Sequence, residues 1–344
     1  MILTRTPLRV SLFGGGTDYP EWFNEHGGAV LGMAINKYVY VGVKYMPPGQ
    51  ELAPGVPLRW RVQYSRVDDC NAVDEIKHPV VRAALKHLRL DDLALEFHIF
   101  GDLPGRSGLG GSGAFTVGLL NALYHLVPDR AALSHEGQPL PVTTKRLAKD
   151  AIYLEQQVIK EAVGCQDQIF AASGGLHFIA FPRHADWFSE ELRLSTERLT
   201  ELEQSLALVY TGAMRDAHEM AARQIREFDK HQDELFQLKH LAATTKHALL
   251  NERASLSFLG PLLNETWRLK RSLCSGLTTP NIDALHEHGL RCGATGGKLL
   301  GAGGGGFMLF CVPPQRRAEF VKGIGAPTVY FKVEQEGSCC IIKE

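Results

Sequence analysis

The chain has 344 residues, 44% of them hydrophobic, enough to bury the core of one large domain or two ordinary ones. Lys and Arg total 37 against 38 Asp and Glu, so no charge excess draws the chain to nucleic acid or an acidic membrane. No apolar run is long enough to span a bilayer, and the start MILTRTPLRV lacks a secretory apolar region. Seven cysteines with no CxxC point to a reducing compartment, so a soluble cytoplasmic protein is expected.

Residues 38–45, YVYVGVKY, are β-branched and aromatic and predict a strand. Residues 46–57 are rich in proline and glycine and predict a loop. Strand patterns return at 58–67 and 94–100. GRSGLGGSGAF, Gly105 to Phe115, follows, and from Ser112 the apolar residues Ala114, Val117, Leu120, Tyr124 and Val127 keep helical spacing. A polar break covers 128–144, then Leu147, Ala151, Leu154, Val158 and Ala162 predict a helix over 145–163. A strand near 175–181 and a loop at 182–191 precede a region, 213–273, whose composition predicts helices. A second glycine cluster, Gly296 to Gly306, leads into an apolar strand, Phe307 to Val312, and the tail reads as helix, strand, strand. Strands and helices mix without strict alternation, which favours α+β over a doubly wound sheet.

The loop at Gly105 invites a phosphate reading, and several motifs compete for it. Gly108 to Gly113 and Gly301 to Gly306 both satisfy GxGxxG. A dinucleotide fold would put the first glycine at the strand's end, yet the strand ends near Phe100. Asp129 has the spacing of the ribose-binding acid but follows Pro128 after a helix. No GxxxxGK[ST] occurs, and Gly110 to Ala114 lacks the last glycine of GxSxG. A bare turn between loop and helix stays open as an alternative. What the loop offers chemically is a run of N–H groups which, with the first turn of the next helix, can cradle an anion. His218-Glu219 and His135-Glu136 start like zinc motifs without the second histidine.

Pro104-x-x-x-Gly108-Leu109-Gly110-x-Ser112 resembles the phosphate loop of the GHMP kinases, which phosphorylate galactose, homoserine, mevalonate and phosphomevalonate. Pro7 to Tyr19, PLRVSLFGGGTDY, is similar to the family's opening motif. Gly164-Cys165-Gln166-Asp167-Gln168 is similar to its catalytic-aspartate segment, and Gly296 to Phe307 to its C-terminal glycine motif. The resemblance implies an α+β GHMP-kinase fold of two mixed domains, near 1–190 and 191–344, with the active site in the cleft between them. It implies ATP and Mg²⁺, with Gly105, Arg106, Ser107, Gly108, Leu109, Gly110, Gly111, Ser112 and Gly113 around the phosphates.

The resemblance further implies Asp167 as the base that takes the acceptor's proton, and Arg9 as the cation near the reacting hydroxyl. An Asp capping the helix that starts there is the plainer alternative for Asp167. Glu155 borders an apolar stripe and needs a partner; by resemblance it shares Mg²⁺ with Ser112. Asp18 matches a residue that accepts from sugar hydroxyls. Gly14, Gly15, Gly16, Thr17, Tyr19, Gln168, Arg215, Gly304 and Gly305 complete the expected substrate contacts. Gly15 and Gly16 stand where galactokinases have Glu-His, which leaves room for a longer, anionic sugar tail.

SLFGGGTDYPEWF and SGLGGSGAFTVGLLNAL resemble one branch of the family, the D-glycero-D-manno-heptose 7-phosphate kinases, with Gly111 and Gly113 in place of serines usual there. That branch implies transfer of the ATP γ-phosphoryl to the anomeric hydroxyl, giving the 1,7-bisphosphate used for surface polysaccharides. Lys37, Arg106, Arg215 and Lys298 are the cations expected for the distal phosphate. An L-fucose or galactose-type kinase and a non-catalytic sugar- and ATP-binding regulator remain alternatives. The expected partners are a small sugar phosphate and ATP, with a homodimer as a candidate assembly, and neither nucleic acid nor membrane.

Overall fold

β1 (Ile2–Phe13) and β2 (Gly28–Tyr45) pair antiparallel, with Thr4 opposite Val41 and Arg9 opposite Ala34. Pro7 has no N–H for the ladder, and the register shifts between Pro7 and Leu8. It shifts again between Ser11 and Phe13. The two irregularities bracket Arg9 and Ser11, the side chains this strand carries to the cleft. The computed structural model of the chain describes residues 1–131, 142–214 and 217–344.

β2 is long enough to change partners along its length. Its later half pairs with β3 (Leu95–Gly101), and its first half with β4 (Leu176–Phe181). Trp60–Gln63 and Val67–Cys70 extend the sheet beyond β3, and Phe188–Glu191 pairs with β4. A second, antiparallel sheet holds β5 (Leu206–Tyr210), β6 (Gly296–Leu299) and β7 (Phe307–Cys311), with Thr328–Val329 beside β5. The last strand, β8 (Cys339–Lys343), returns to the first sheet and pairs with β1. Strands and helices are mixed in both parts, as the α+β reading expects.

Helix α1 (Pro20–His26) follows the turn after β1, with proline at its start. α2 (Gly111–Leu126) is buried from Gly113 to Tyr124, because it has the first sheet on one side and other helices on the other. Those helices are α3 (Thr144–Tyr153) and α4 (Gln166–Ser173). The expected helix over 145–163 stops short. After Tyr153 the chain widens into one π-turn, Leu154–Val158, closed by Ile159 N–H on the Leu154 carbonyl. Such turns re-aim side chains, and this one turns Glu155 fully inward.

The helical region comprises α5 (Ala217–Glu227), α6 (Gln232–Leu250) and α7 (Leu259–Ser272), followed by α8 (Pro280–Arg291). α7 lies close on β6: a Cβ on Gly296 would stand 1.9 Å from the Gly260 carbonyl oxygen. Trp267 of α7 anchors a core against the second sheet with Phe310 and Phe320. The strand over 58–67 is shorter than expected, Trp60–Gln63, and the loop at 46–57 contains a small ribbon, Glu51–Ala53 with Val56–Pro57. Among the described residues, no helix is long and apolar enough to cross a membrane.

Candidate active site

A cleft of about 180 Å³ opens where the two sheets' loops meet. One wall comes from β1, the turn after it, the glycine loop and the start of α4. The other comes from α5, α7, β6 and the second glycine cluster.

The turn after β1 is tied by Thr17. Its N–H donates to the Gly14 carbonyl at 3.0 Å, and its hydroxyl lies 2.9 Å from that carbonyl and 3.0 Å from Ala29's. The turn presents Gly15, Gly16, Asp18 and Tyr19 to the cleft, while Gly14 and Thr17 stay behind it. Asp18 is 1% exposed and accepts from the Gly16 N–H at 3.1 Å and the Gln166 N–H at 3.3 Å. Burial raises its pKa above the usual carboxylate range, and the Asp167 charge raises it further. Burial likewise raises the Tyr19 phenol, which stays neutral.

Arg9 holds two pieces of the site together. Its Nε donates to Asp167 Oδ1 at 2.8 Å, and its Nη1 to the Gly108 carbonyl at 2.6 Å. Its backbone N–H donates to the Leu109 carbonyl at 2.9 Å. The guanidinium is buried while the Asp167 side chain keeps 27% exposure, so a carboxylate faces the cleft with its charge matched from behind. Asp167 sits in the first turn of α4, where the helix dipole also favours a negative charge.

The glycine loop has to pass between these groups. Gly110 has φ +73°, and a Cβ on it would stand 2.8 Å from Arg9 Cγ and 3.3 Å from Asp167 Cγ. From the other side, a Cβ on Gly301 would stand 2.5 Å from Gly108 Cα. The two glycine clusters therefore touch, and Phe307 N–H donates to the Ser107 carbonyl at 3.0 Å. Arg106, Ser107, Gly108, Gly110, Gly111 and Ser112 line the cleft. Gly105 is exposed outside it, Leu109 is buried beneath it, and Gly113 faces Asp167 Cβ.

Several expected contacts lie elsewhere. Glu155 does not line the cleft; it accepts from Thr116 Oγ1 and from Gln168 Nε2, one on each oxygen. The partner its buried carboxyl needs is supplied by the protein, which also removes Gln168 from the cleft wall. Burial pushes the Glu155 carboxyl up to about 7. Thr116 Oγ1 also lies 3.1 Å from the Ser112 carbonyl, and a hydroxyl has one hydrogen to give. The Thr116 hydroxyl is thus shared between the Glu155 carboxyl and the Ser112 carbonyl. Ser112 lines the cleft and Glu155 lies behind it, linked to the Ser112 carbonyl through the Thr116 hydroxyl, and no cluster of three His, Cys, Asp or Glu suited to a metal occurs among the described residues.

Gly304 N–H donates to the Leu277 carbonyl and Gly305 packs on the Ala213 carbonyl, so both brace the second cluster behind the cleft. Lys37 is half-buried on β2 and does not line the cleft. Arg215 and His135 lie outside the described residues, and His218 Nδ1 accepts from the Ala162 N–H. Lys298 does line it.

Sequence reasoning missed Ser11, Gln166, Gln224 and Lys270, which also line the cleft. One of them carried a signal. Leu259, Leu263, Thr266 and Lys270 recur at helical spacing on the buried face of α7, and a lysine on such a face calls for an explanation.

Comparisons with known proteins place the chain among its relatives. The family description "GHMP kinases N terminal domain" matches residues 77–175, and "GHMP kinases C terminal" matches 247–324. The chain is 27% identical to a D-glycero-alpha-D-manno-heptose 7-phosphate kinase of Campylobacter jejuni, over 98% of this chain and 97% of that one. It is 24% identical to a mevalonate kinase of Pyrococcus horikoshii, over 98% and 96%. Among solved structures, a D-glycero-D-manno-heptose 1-phosphate kinase from Bacteroides thetaiotaomicron superposes with a TM-score of 0.78 at 22% identity, covering 100% of both chains. A Lactococcus lactis galactokinase complexed with galactose gives 0.72 at 17%, over 98% and 94%. These two likenesses concern the fold.

Proposed function

The chain belongs to the GHMP kinases and is a phosphotransferase acting on a hydroxyl group, and on that footing we propose that it transfers the γ-phosphoryl of ATP to the anomeric C1 hydroxyl of D-glycero-D-manno-heptose 7-phosphate. The product is the 1,7-bisphosphate, a precursor for nucleotide-heptose and surface polysaccharide, made in the cytoplasm. The observation that carries the reading is the Arg9–Asp167 pair, held against the glycine loop in the same cleft as Asp18.

Phosphoryl transfer is mostly positioning and charge stabilisation. The loop N–H groups from Ser107 to Ser112 and the N-terminus of α2 face the triphosphate. Asp18 and Gln166 hold sugar hydroxyls, and Asp167 takes the C1 proton as that oxygen attacks phosphorus. The bond from phosphorus to the β,γ-bridging oxygen breaks, and ADP leaves with the electron pair. Arg9 keeps the Asp167 carboxylate in place and answers the charge that develops. The anomeric hydroxyl is the most acidic on a sugar, which suits a base backed by a cation. A magnesium ion arriving with ATP would be held from the protein side by Ser112, with Glu155 behind it through Thr116, and would offset the charge of the phosphates.

The test is an ATP-consumption panel with phosphorus NMR of the product. Heptose 7-phosphate should outperform heptose 1-phosphate, unphosphorylated heptose, L-fucose and galactose, and the new resonance should be a glycosyl phosphate. Preferred turnover of an unphosphorylated hexose would overturn the assignment of the acceptor.

A further inference from the structure

Lys270 and Lys298 are two ammonium groups in one cleft, 7% and 2% exposed. Neither has a carboxylate partner among the described residues. Lys298 Nζ donates to the Ser11 carbonyl at 2.9 Å and the Leu12 carbonyl at 2.8 Å, and Lys270 Nζ to the Gly301 carbonyl. An ammonium has three N–H groups, so one on Lys298 and two on Lys270 remain to be used.

Buried charges are ordinarily paired. Here the nearby acids, Asp18 and Asp167, offset the Lys270 charge only in part, since Asp167 is committed to Arg9 and burial shifts Asp18 toward its neutral form. Burial also lowers both lysine pKa values, Lys270's to about 8, with Arg9 as a repelling neighbour of each. A bound anion would remove that penalty. Two other polar atoms lining the same cleft are buried without a hydrogen bond, Ser11 Oγ and Gln166 Oε1. They suit the hydroxyls of a polyol more than a bare ion.

The position favours the acceptor over the nucleotide. Lys298 hangs from the carbonyls that lead into Gly15, Gly16 and Asp18, and those two glycines leave that corner without side chains. The triphosphate already has the loop amides and a helix N-terminus. We infer that Lys270 and Lys298 form a second anion site that recognises a phosphate monoester already carried by the acceptor alcohol. This rests on the reading of the chain as a sugar-phosphate kinase, and Lys270 is its specificity-determining residue.

Two measurements on wild type and K270M test it. First, with the protein saturated by AMPPNP so that the triphosphate site is full, inorganic phosphate binding is followed by calorimetry. K270M should bind about tenfold more weakly or worse, the usual loss for one charge-assisted hydrogen bond. Second, the ratio of kcat/KM for heptose 7-phosphate to that for dephosphorylated heptose should fall about tenfold, through KM, with the KM for ATP unchanged. K270Q, which keeps a donor for the Gly301 carbonyl, replaces K270M where methionine prevents folding. Unchanged phosphate affinity, or a rise in the KM for ATP equal to the loss on the sugar, would overturn the inference. A wild type that rejects every sugar phosphate, yet binds phosphate through Lys270, would remove the functional reading and leave the anion site standing.

Discussion

Gly110→Ala tests the packing on which the cleft depends. Two costs follow from the structure. Gly110 has φ +73°, and an alanine there loses about 1–2 kcal/mol to backbone strain. Its Cβ would stand 2.8 Å from Arg9 Cγ, inside contact distance, and overpacking of that kind costs about 1–3 kcal/mol. Together the destabilisation is about 2–5 kcal/mol. Relief by shifting Arg9 moves Asp167, which it holds at 2.8 Å, and a misplacement of about an ångström lowers kcat about hundredfold. Gly111→Ala is the internal control for stability. Its Cβ meets only Leu8 Cδ2, at 4.0 Å, and its backbone is helical. That change should lie within about 1 kcal/mol of wild type. Urea melts read the stability of both variants, and steady-state turnover at saturating substrates reads kcat for Gly110→Ala. Equal melts for the two variants would refute the argument, since backbone strain and contact distance are what separate them.

Asp167→Ala should leave sugar binding measurable by calorimetry while turnover falls about 10²–10⁴-fold; retained turnover within about tenfold would remove it as the base. Gly164→Ala should raise the sugar KM and destabilise the chain, because its Cβ would stand 2.0 Å from Asp18 Oδ2; a wild-type KM would show that Asp18 does not bind the sugar. Glu155 gives a pH signature in the nucleotide-free protein. Its carboxyl is raised from 4.5 to about 7 on folding, so the folded chain keeps a proton the unfolded chain has lost. The associated stability is present in full below pH 4.5 and is lost as pH rises to about 7, by about 3 kcal/mol at most. Urea melts across that window should show the decline in wild type and a flatter profile in Glu155→Gln; parallel profiles would refute the buried neutral acid.

The site was legible where its chemistry is local. A loop that must bend through positive φ announces itself by Gly108 and Gly110. An acid in the first turn of a helix, such as Asp167, stands beside its motif in the chain. β1 was less legible, since ILTRTPLRVSLF mixes arginine, proline and serine into its apolar pattern and owes its extension to pairing with β2 and β8. The helix expected over 145–163 contains no glycine or proline to mark its end, and a π-turn interrupts it where Glu155 turns toward Thr116 and Gln168.

By itself, then, the sequence determined the family, the glycine loop and the order of the motifs, because those depend on backbone freedom and on neighbours a few residues away. Only the tertiary structure decided what each charge faces: Arg9 on Asp167, Glu155 on Thr116 and Gln168, Lys270 and Lys298 on carbonyls in the cleft. Those partners lie far apart along the chain, and the energy of a buried charge depends on distances that packing alone sets.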